Sequence, residues 1–191
     1  MLSLVQSDRF PPAPDHFNMA AYVLAHADRC ADKTALQIMH ADGASDRYDY
    51  GLVKQAVLGT ATGLLAQVKP GDRIILQLGN TPEFPVAFLG AIAAGIIPVS
   101  LSSALSETEY AQIAQTIRPV LELRKGVLDT GLTSDTLRQF WTQPPAAFAY
   151  GNPDRPAYII YTSGTSGRPT PVVHAHRAIW ARRMMWDGWY G

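Results

Sequence analysis

Three short apolar runs alternate with two helix-like segments between Arg73 and Leu123, and no other feature limits the fold so strongly. The runs are RIILQL, IPVS and VLEL. RIILQL is too apolar for a strand with one face in water, so it predicts a strand that is covered on both faces. Strands separated by helices, with short connections, are typical of a parallel sheet wrapped by helices. The sequence therefore predicts an α/β fold with a predominantly parallel sheet.

The predicted helices carry recognisable end signals. Asp49 is placed as the N-cap of a first helix, which Pro70 and Gly71 are expected to end. Pro82 lies early in the second helix and Gly95 lies just past its end. Ser106 and Glu109 have the spacing of a capping box and open a third helix. These signals agree with the helix positions that the alternation requires.

Composition excludes several classes of protein. The chain has 191 residues, and its 16 basic residues balance its 16 acidic residues, so no basic surface for nucleic acid is expected. Its one cysteine, Cys30, cannot form an intramolecular disulfide, and no Cys/His cluster has the spacing of a zinc site. We predict that Cys30 is a buried small hydrophobic residue. A cytoplasmic location and the absence of a signal peptide are expected.

The segment from Phe84 to Ser106 is free of charge and about as long as a membrane span. Proline and glycine interrupt it at Pro85, Gly95 and Pro98. These interruptions favour a helix, a turn and a short strand over one membrane-spanning helix. We therefore predict that the segment belongs to the core of the domain.

A hydroxyl-rich glycine loop follows the apolar strand that begins near Ala157, in the stretch AYIIYTSGTSGRPTPVVHAHRA. Gly164 and Gly167 permit tight turns that bring consecutive backbone N–H groups against an anion. Four hydroxyl side chains add donors: Thr162, Ser163, Thr165 and Ser166. A solvent-exposed linker is the alternative, but the position after a buried strand favours a phosphate site. We predict that the loop leads directly into a helix, and its spacing matches neither a Walker loop nor the dinucleotide fingerprint.

YTSGTSGRPTPVVHAHRA resembles the ATP-phosphate loop of the adenylate-forming enzymes, the superfamily of acyl-CoA and aryl-CoA synthetases, luciferases and peptide-synthetase adenylation domains. FNMAAYVLAHADRCADKTAL resembles the opening segment of that family, and the stretch from Val68 to Tyr110 resembles its second block. The resemblance covers most of the chain. It implies that ATP and Mg²⁺ activate a carboxylic acid as an acyl-adenylate, and that many members then transfer the acyl group to coenzyme A.

The resemblance also implies roles for the loop residues. The hydroxyls of Thr162, Ser163, Thr165 and Ser166 would hold the β- and γ-phosphates, and Gly164 and Gly167 would shape the turn. Where the family pattern ends in Pro-Lys-Gly, this sequence has Pro169, Thr170 and Pro171. Threonine cannot replace the lysine charge, and proline removes an N–H group. Arg168 would either reach the phosphates in place of the lysine or point to solvent.

Two histidines and a group of large apolar residues follow the loop. His174 and His176 titrate near neutrality, but no carboxylate or cysteine partner stands beside them in the sequence. We therefore favour a helix-start or packing role over acid–base catalysis. The large apolar residues are expected in the core or in an interface: Trp180, Met184, Met185, Trp186 and Trp189. No catalytic residue is assigned.

Chains of this family are more than twice as long as this one. The resemblance therefore implies that residues 1–191 are an incomplete part of the large N-terminal domain, with a connector over about 125–156 and without the C-terminal domain. Such a fragment of an acid:CoA ligase, closest in look to ligases for aryl or short- to medium-chain acids, is expected to be inactive alone and to self-associate. The alternative is a non-catalytic nucleotide-binding or scaffold module.

Overall fold

The computed structural model describes residues 11–124, 134–163 and 169–189. Helices and strands alternate along most of these residues. The helices are α1 (Met19–Val23), α2 (Tyr50–Leu65), α3 (Glu83–Ala93), α4 (Glu107–Ile117), α5 (Ser134–Phe140) and α6 (Arg177–Trp189), with a 3₁₀ turn at Ala27–Cys30. The strands are β1 (Thr34–Met39), β2 (Ser45–Asp49), β3 (Arg73–Gln77), β4 (Ile97–Ser100), β5 (Leu121–Arg124), β6 (Pro156–Ser163) and β7 (Pro169–Ala175).

The main sheet has five strands in the order β5-β3-β4-β6-β7. Strands β5, β3, β4 and β6 run parallel to one another, whereas β7 is antiparallel to β6. The predicted α/β fold with a predominantly parallel sheet is therefore confirmed. Strands β1 and β2 form a separate antiparallel pair, which the sequence reasoning did not predict.

Strand β3 is covered on both faces, as its apolar sequence predicts. Ile74, Ile75 and Leu76 have no exposed surface. Ile74 and Leu76 belong to the core cluster formed with α2 and α3, whereas Ile75 belongs to the cluster formed with α4. Because side chains alternate along a strand, one continuous apolar run supplies both cores. Each such buried aliphatic side chain stabilises the fold by about 1.5–3 kcal/mol.

The helices begin and end where the sequence signals stand. The Asp49 side chain accepts a hydrogen bond of 2.7 Å from the backbone N–H of Leu52. Ser106 and Glu109 form the reciprocal bonds of a capping box. Helix α3 is followed by Gly95 with a φ of +75°, a conformation that glycine adopts without strain. The predicted starts of α2 and α4 and the predicted end of α3 are confirmed, whereas α2 ends at Leu65, before Pro70.

The segment that follows α5 packs closely on α2. Gly59 and Gly63 of α2 permit this approach, because a Cβ atom at Gly59 would lie 2.4 Å from the carbonyl oxygen of Phe140. Leu137 and Trp141 are buried there, and the Ala146 N–H donates to the carbonyl of Leu58 over 3.1 Å. The described part of the predicted connector is thus a packed layer over α2.

The prediction that the glycine loop leads directly into a helix is wrong. Strand β7 lies between them and pairs with β6 to form a hairpin, and α6 begins only at Arg177. The β-branched pair Val172 and Val173 favours a strand. Strand β7 lies at the edge of the sheet, where Pro169 and Pro171 are tolerated because an edge strand leaves half of its N–H groups unpaired.

A buried polar cluster joins the N-terminal segment to the end of this hairpin. The Asn18 amide donates to the carbonyls of Ile92 and Ala149 over 3.0 and 2.9 Å. His176 is 1% exposed, and its Nδ1 accepts the backbone N–H of Met19 over 3.0 Å. The backbone N–H of His176 in turn donates to the backbone carbonyl of Arg155, just before β6. The predicted packing role of His176 is confirmed.

The uncharged segment from Phe84 to Ser106 folds as most of α3, a turn at Gly95 and strand β4, as predicted. None of the described helices is both long and apolar enough to cross a membrane.

The prediction that Cys30 is buried is wrong. Cys30 is only partly buried at the end of the surface 3₁₀ turn, and its thiol donates to the carbonyl of His26 over 3.3 Å. Ala27 of the same turn is buried, so the turn places its first residue inward and leaves Cys30 at its end partly exposed.

We predict that Gly59→Ala lowers the free energy of unfolding by about 1–3 kcal/mol, because the added methyl group overlaps the Phe140 carbonyl. Gly51→Ala, also in α2, is the matched control. A Cβ atom at Gly51 meets its nearest neighbour at 3.4 Å, so the gain in helix propensity stabilises the protein by up to about 1 kcal/mol. Urea unfolding measures both values. Equal effects at the two glycines would contradict the close contact between α2 and α5.

We predict a pH-dependent contribution of His176 to stability. Burial and the neighbouring Arg155 charge lower the pKa of His176 to about 4. In the unfolded chain the pKa is about 6.5, so this stability is fully present above that pH and is lost as the pH falls toward 4. The free energy of unfolding is expected to fall by on the order of 3 kcal/mol over this pH range.

His176→Asn removes the titration and keeps an acceptor for the Met19 N–H. Unfolding free energies measured across this pH range are expected to fall more steeply for the wild type than for the variant. Other titrating groups cancel in the difference, because both proteins carry them. Parallel pH curves would show that His176 is not buried in its neutral form.

Candidate functional site

Three parallel strands end side by side at one edge of the sheet. Strands β3, β4 and β6 are adjacent and run in the same direction, so Gln77, Ser100 and Ser163 lie at the same edge. The chain leaves β3 toward α3 on one face and leaves β4 toward α4 on the other. In open α/β sheets, ligands bind outside the carboxyl ends of strands whose connections diverge in this way. This end of the sheet, where the carboxyl ends of the strands lie, is called the carboxyl edge and is the candidate site. It is distinct from the lateral edge formed by β7.

The β6–β7 hairpin carries the predicted phosphate-binding residues to this edge. Thr162 lies directly opposite Thr170, and the Thr162 hydroxyl donates to the Thr170 carbonyl over 3.4 Å. Both threonines are exposed, and Ser163 is opposite Pro169. The other five predicted site residues lie outside the described residues: Gly164, Thr165, Ser166, Gly167 and Arg168. Their phosphate contacts stay predictions.

The hairpin geometry changes the expected physics of anion binding. A loop at the start of a helix would place its ligand on the positive end of the helix dipole. Here β7 separates the loop from α6. Without a helix directly after the loop, the binding of an anion depends on hydroxyls and backbone N–H groups as donors.

A cavity of about 230 Å³ lies beside Thr162, between β6 and α4. Its lining includes Ser100, Ser102, Tyr161 and Thr162. Among the described residues, the buried hydroxyls of Ser100 and Tyr161 have no hydrogen-bond partner. Burial raises the pKa of Tyr161, so its hydroxyl stays protonated at neutral pH. Unpaired buried hydroxyls are uncommon in folded proteins, and two of the four among the described residues line this cavity.

A hydrogen-bond network holds the chain after β4. The Gln77 side chain donates to the Ser102 carbonyl over 2.9 Å and accepts from Arg124 over 2.8 Å. Arg124 also forms an ion pair of 2.6 Å with Glu107 and stacks 3.7 Å above the ring of Tyr110. The charge of Arg124 is therefore balanced within the protein, and its role here is to fix this part of the edge.

Sequence reasoning missed Gln77, Ser100 and Ser102. The signal was present, because polar residues stand at the ends of two buried strands, in QLGN and VSLSS. Parallel strands bring such residues to a common edge.

Thr170 and Pro171, where the sequence departs from the family pattern, lie with Pro169 in the edge strand β7. Pro171 pairs with Tyr161, and both prolines line a cavity of about 170 Å³ against Gln112 and Thr116 of α4. Proline at position 171 therefore leaves β7 paired with β6.

The remaining sequence candidates are structural. The ring of His174 stacks on Tyr158 with 4.6 Å between centroids, which confirms its predicted packing role. Trp180 packs edge-on against Phe17 and Tyr22, whereas Trp186 is 62% exposed.

Comparison with known proteins gives one consistent result. Residues 23–190 match the family described as AMP-binding enzyme. The chain is 26% identical to benzoate–CoA ligase of Thauera aromatica, over 92% of this chain and 38% of that protein. It is 31% identical to a crotonobetaine/carnitine–CoA ligase of Escherichia coli, over 78% of this chain and 35% of the relative. The chain thus spans little more than a third of the length of these relatives.

Solved structures share the fold. The benzoate CoA ligase of Burkholderia xenovorans superposes with a TM-score of 0.74 at 24% identity, covering 90% of this chain and 37% of that one. The acetoacetyl-CoA synthetase of Streptomyces lividans superposes with a TM-score of 0.80 at 21% identity, covering 91% of this chain and 32% of that one. The family match extends from α1 through the β6–β7 hairpin to α6, and the chain belongs to the AMP-binding enzyme family.

Proposed function

We propose that this chain is part of an AMP-forming acid:CoA ligase, which activates a carboxylic acid with ATP and transfers it to coenzyme A. The observation that carries the proposal is the hydroxyl-bearing β6–β7 hairpin at the carboxyl edge of a parallel sheet. Relatives named as benzoate–CoA and crotonobetaine/carnitine–CoA ligases support it. Because the chain spans about a third of these relatives, the complete reaction belongs to a longer protein.

In the proposed reaction, an oxygen of the substrate carboxylate attacks the α-phosphorus of ATP. The bond to the bridging oxygen breaks, and pyrophosphate leaves with the bonding electron pair. The thiol of coenzyme A then attacks the acyl carbonyl, loses its proton, and displaces AMP. Donors fixed around the departing pyrophosphate stabilise its growing negative charge.

The residues of the hairpin would supply these donors. Thr162, Ser163, Thr165 and Ser166 would hold the β- and γ-phosphates, and Gly164 and Gly167 would let the backbone N–H groups converge. Arg168 is the candidate cation of the loop. Thr162 is exposed at the end of β6, and its hydroxyl would exchange its long bond to the Thr170 carbonyl for one to a phosphate oxygen.

Mg²⁺ would neutralise part of the charge on the phosphates when it is bound. The described residues contain no group of three His, Cys, Asp or Glu side chains able to hold a metal ion, so no protein ligand is assigned.

A cytoplasmic location remains part of the proposal. Self-association of the isolated chain is also part of the proposal, because the apolar side chains of Val173 and Met185 are 57% and 50% exposed.

The test is carboxylate-dependent exchange of pyrophosphate into ATP, measured on the protein expressed from its complete reading frame. We expect exchange with at least one acid of a panel of aryl and aliphatic carboxylates. Thr162→Val is expected to reduce the rate on the order of tenfold, because it removes a hydroxyl bond to a charged acceptor. Thr142→Val is the control, since that hydroxyl donates to the Gln139 carbonyl beside α5. Absence of exchange with every acid would favour the non-catalytic module.

A further inference from the structure

A cavity of about 520 Å³ opens between the end of α4 and one face of the β6–β7 hairpin. We call it the α4–β7 groove, and its lining includes Arg73, Gln115, Arg118, Ile159, Pro171 and Val173. Its volume lies in the range of small-molecule sites in proteins. Because Arg73 is the first residue of β3, the groove lies toward the amino end of that strand and away from the carboxyl edge.

One wall of the groove is an apolar sheet surface that α4 does not cover. Val173 pairs with Ile159, and Pro171 pairs with Tyr161, so these four side chains share one face of the sheet. Ile159 packs in the core cluster formed with α4 and is 6% exposed, whereas Val173 is 57% exposed. Helix α4 therefore covers β6 on this face and leaves the β7 side chains as an open apolar wall.

The opposite wall carries two arginines whose charges are not balanced. Neither Arg73 nor Arg118 forms an ion pair within the part of the chain that the structure describes, and no acidic residue lines the groove. The Arg73 Nε–H donates to the Ile117 carbonyl over 2.7 Å, which leaves its other guanidinium N–H groups for a ligand. Because Ile117 directly precedes Arg118, both cations stand at the same turn.

Arg118 occupies a backbone position that suits glycine better. It ends α4 with a φ of 50°, and no other non-glycine residue that the structure describes has a positive φ. Helices that end in this conformation usually do so with glycine. Pro119 follows, and a residue before proline is restricted toward extended conformations. An arginine at this position therefore strains the backbone, and strained residues concentrate at functional sites.

We propose that the α4–β7 groove binds a small organic anion, a carboxylate or sulfonate joined to an apolar body. Arg73 and Arg118 hold the anionic group through charge-assisted N–H bonds, and the apolar body lies on Pro171 and Val173. The apolar wall favours such a ligand over inorganic phosphate, which has no apolar surface to bury. The inference is independent of the proposed function, because it requires no contact between the hairpin and ATP.

The experiment titrates the protein expressed from its complete reading frame with hexanesulfonate, which cannot react as a carboxylic acid. The methyl NMR signals of Ile159 and Val173 report binding in the groove itself, and Ile159→Val and Val173→Ala assign these signals by their loss. We expect saturable shifts of both signals, with a dissociation constant on the order of a millimolar that rises at high ionic strength. Hexanol, which lacks the charge, is expected to bind at least about tenfold more weakly.

Arg118→Gly separates ligand binding from a purely structural role of this arginine. Glycine removes the charge and relieves the positive φ, so the melting temperature is not expected to fall while the affinity for hexanesulfonate drops about tenfold. Arg47→Gln, on the separate β1–β2 pair, is the matched control and is expected to leave the affinity unchanged.

Two outcomes would overturn the inference. Equal affinities in Arg118→Gly and Arg47→Gln would leave the arginines only the role of stabilising the carboxyl end of α4. Absence of methyl shifts in the folded wild type would mean that the groove takes no such anion, whether it stays open or is covered by a second copy or by another part of the complete protein. Either outcome leaves the proposed function standing, because pyrophosphate exchange tests that separately.

Discussion

Strands β3 and β4 can be buried on both faces only if helices cover the two sides of a parallel sheet. Ile74 and Leu76 require α2 and α3 on one side, and Ile75 requires α4 on the other. Helical crossovers between parallel strands bring every carboxyl end to the same edge. The burial of one apolar run therefore decides at which end of the sheet the polar residues after the strands lie, and Gln77, Ser100 and Thr162 all lie at that end.

The hairpin that carries Thr162 is anchored at its base. Strand β6 pairs with β4 through Ile159 and Ile160, and β7 pairs only with β6. His176 and Arg155 then join both ends of the hairpin to the segment from Phe17 to Met19.

Local signals were sufficient to predict much of the fold. Asp49, Ser106 and Gly95 mark helix ends because capping and positive φ depend on residues close in sequence. Strand β3 was predictable because its short apolar run fits a strand that is covered on both faces. The match of the loop sequence to a known family then indicated a phosphate site at Thr162 and Ser163.

Features that depend on distant residues were not predictable in this way. The Asn18 amide meets the Ala149 carbonyl across 131 positions, and Gln77 meets Arg124 across 47. Strand β7 was missed because Pro169 and Pro171 read locally as a loop, and only its place at the sheet edge makes them acceptable. The buried hydroxyls of Ser100 and Tyr161 are equally invisible until the strands are paired.

The central claim is that this hairpin holds the phosphates of ATP, and a crystal structure of the complete protein with a non-hydrolysable ATP analogue tests it most directly. The account predicts that a β- or γ-phosphate oxygen lies within hydrogen-bond distance of the Thr162 hydroxyl, with the triphosphate lying along the carboxyl ends of β4 and β6. A triphosphate bound at another edge of the sheet, remote from Thr162, would contradict it.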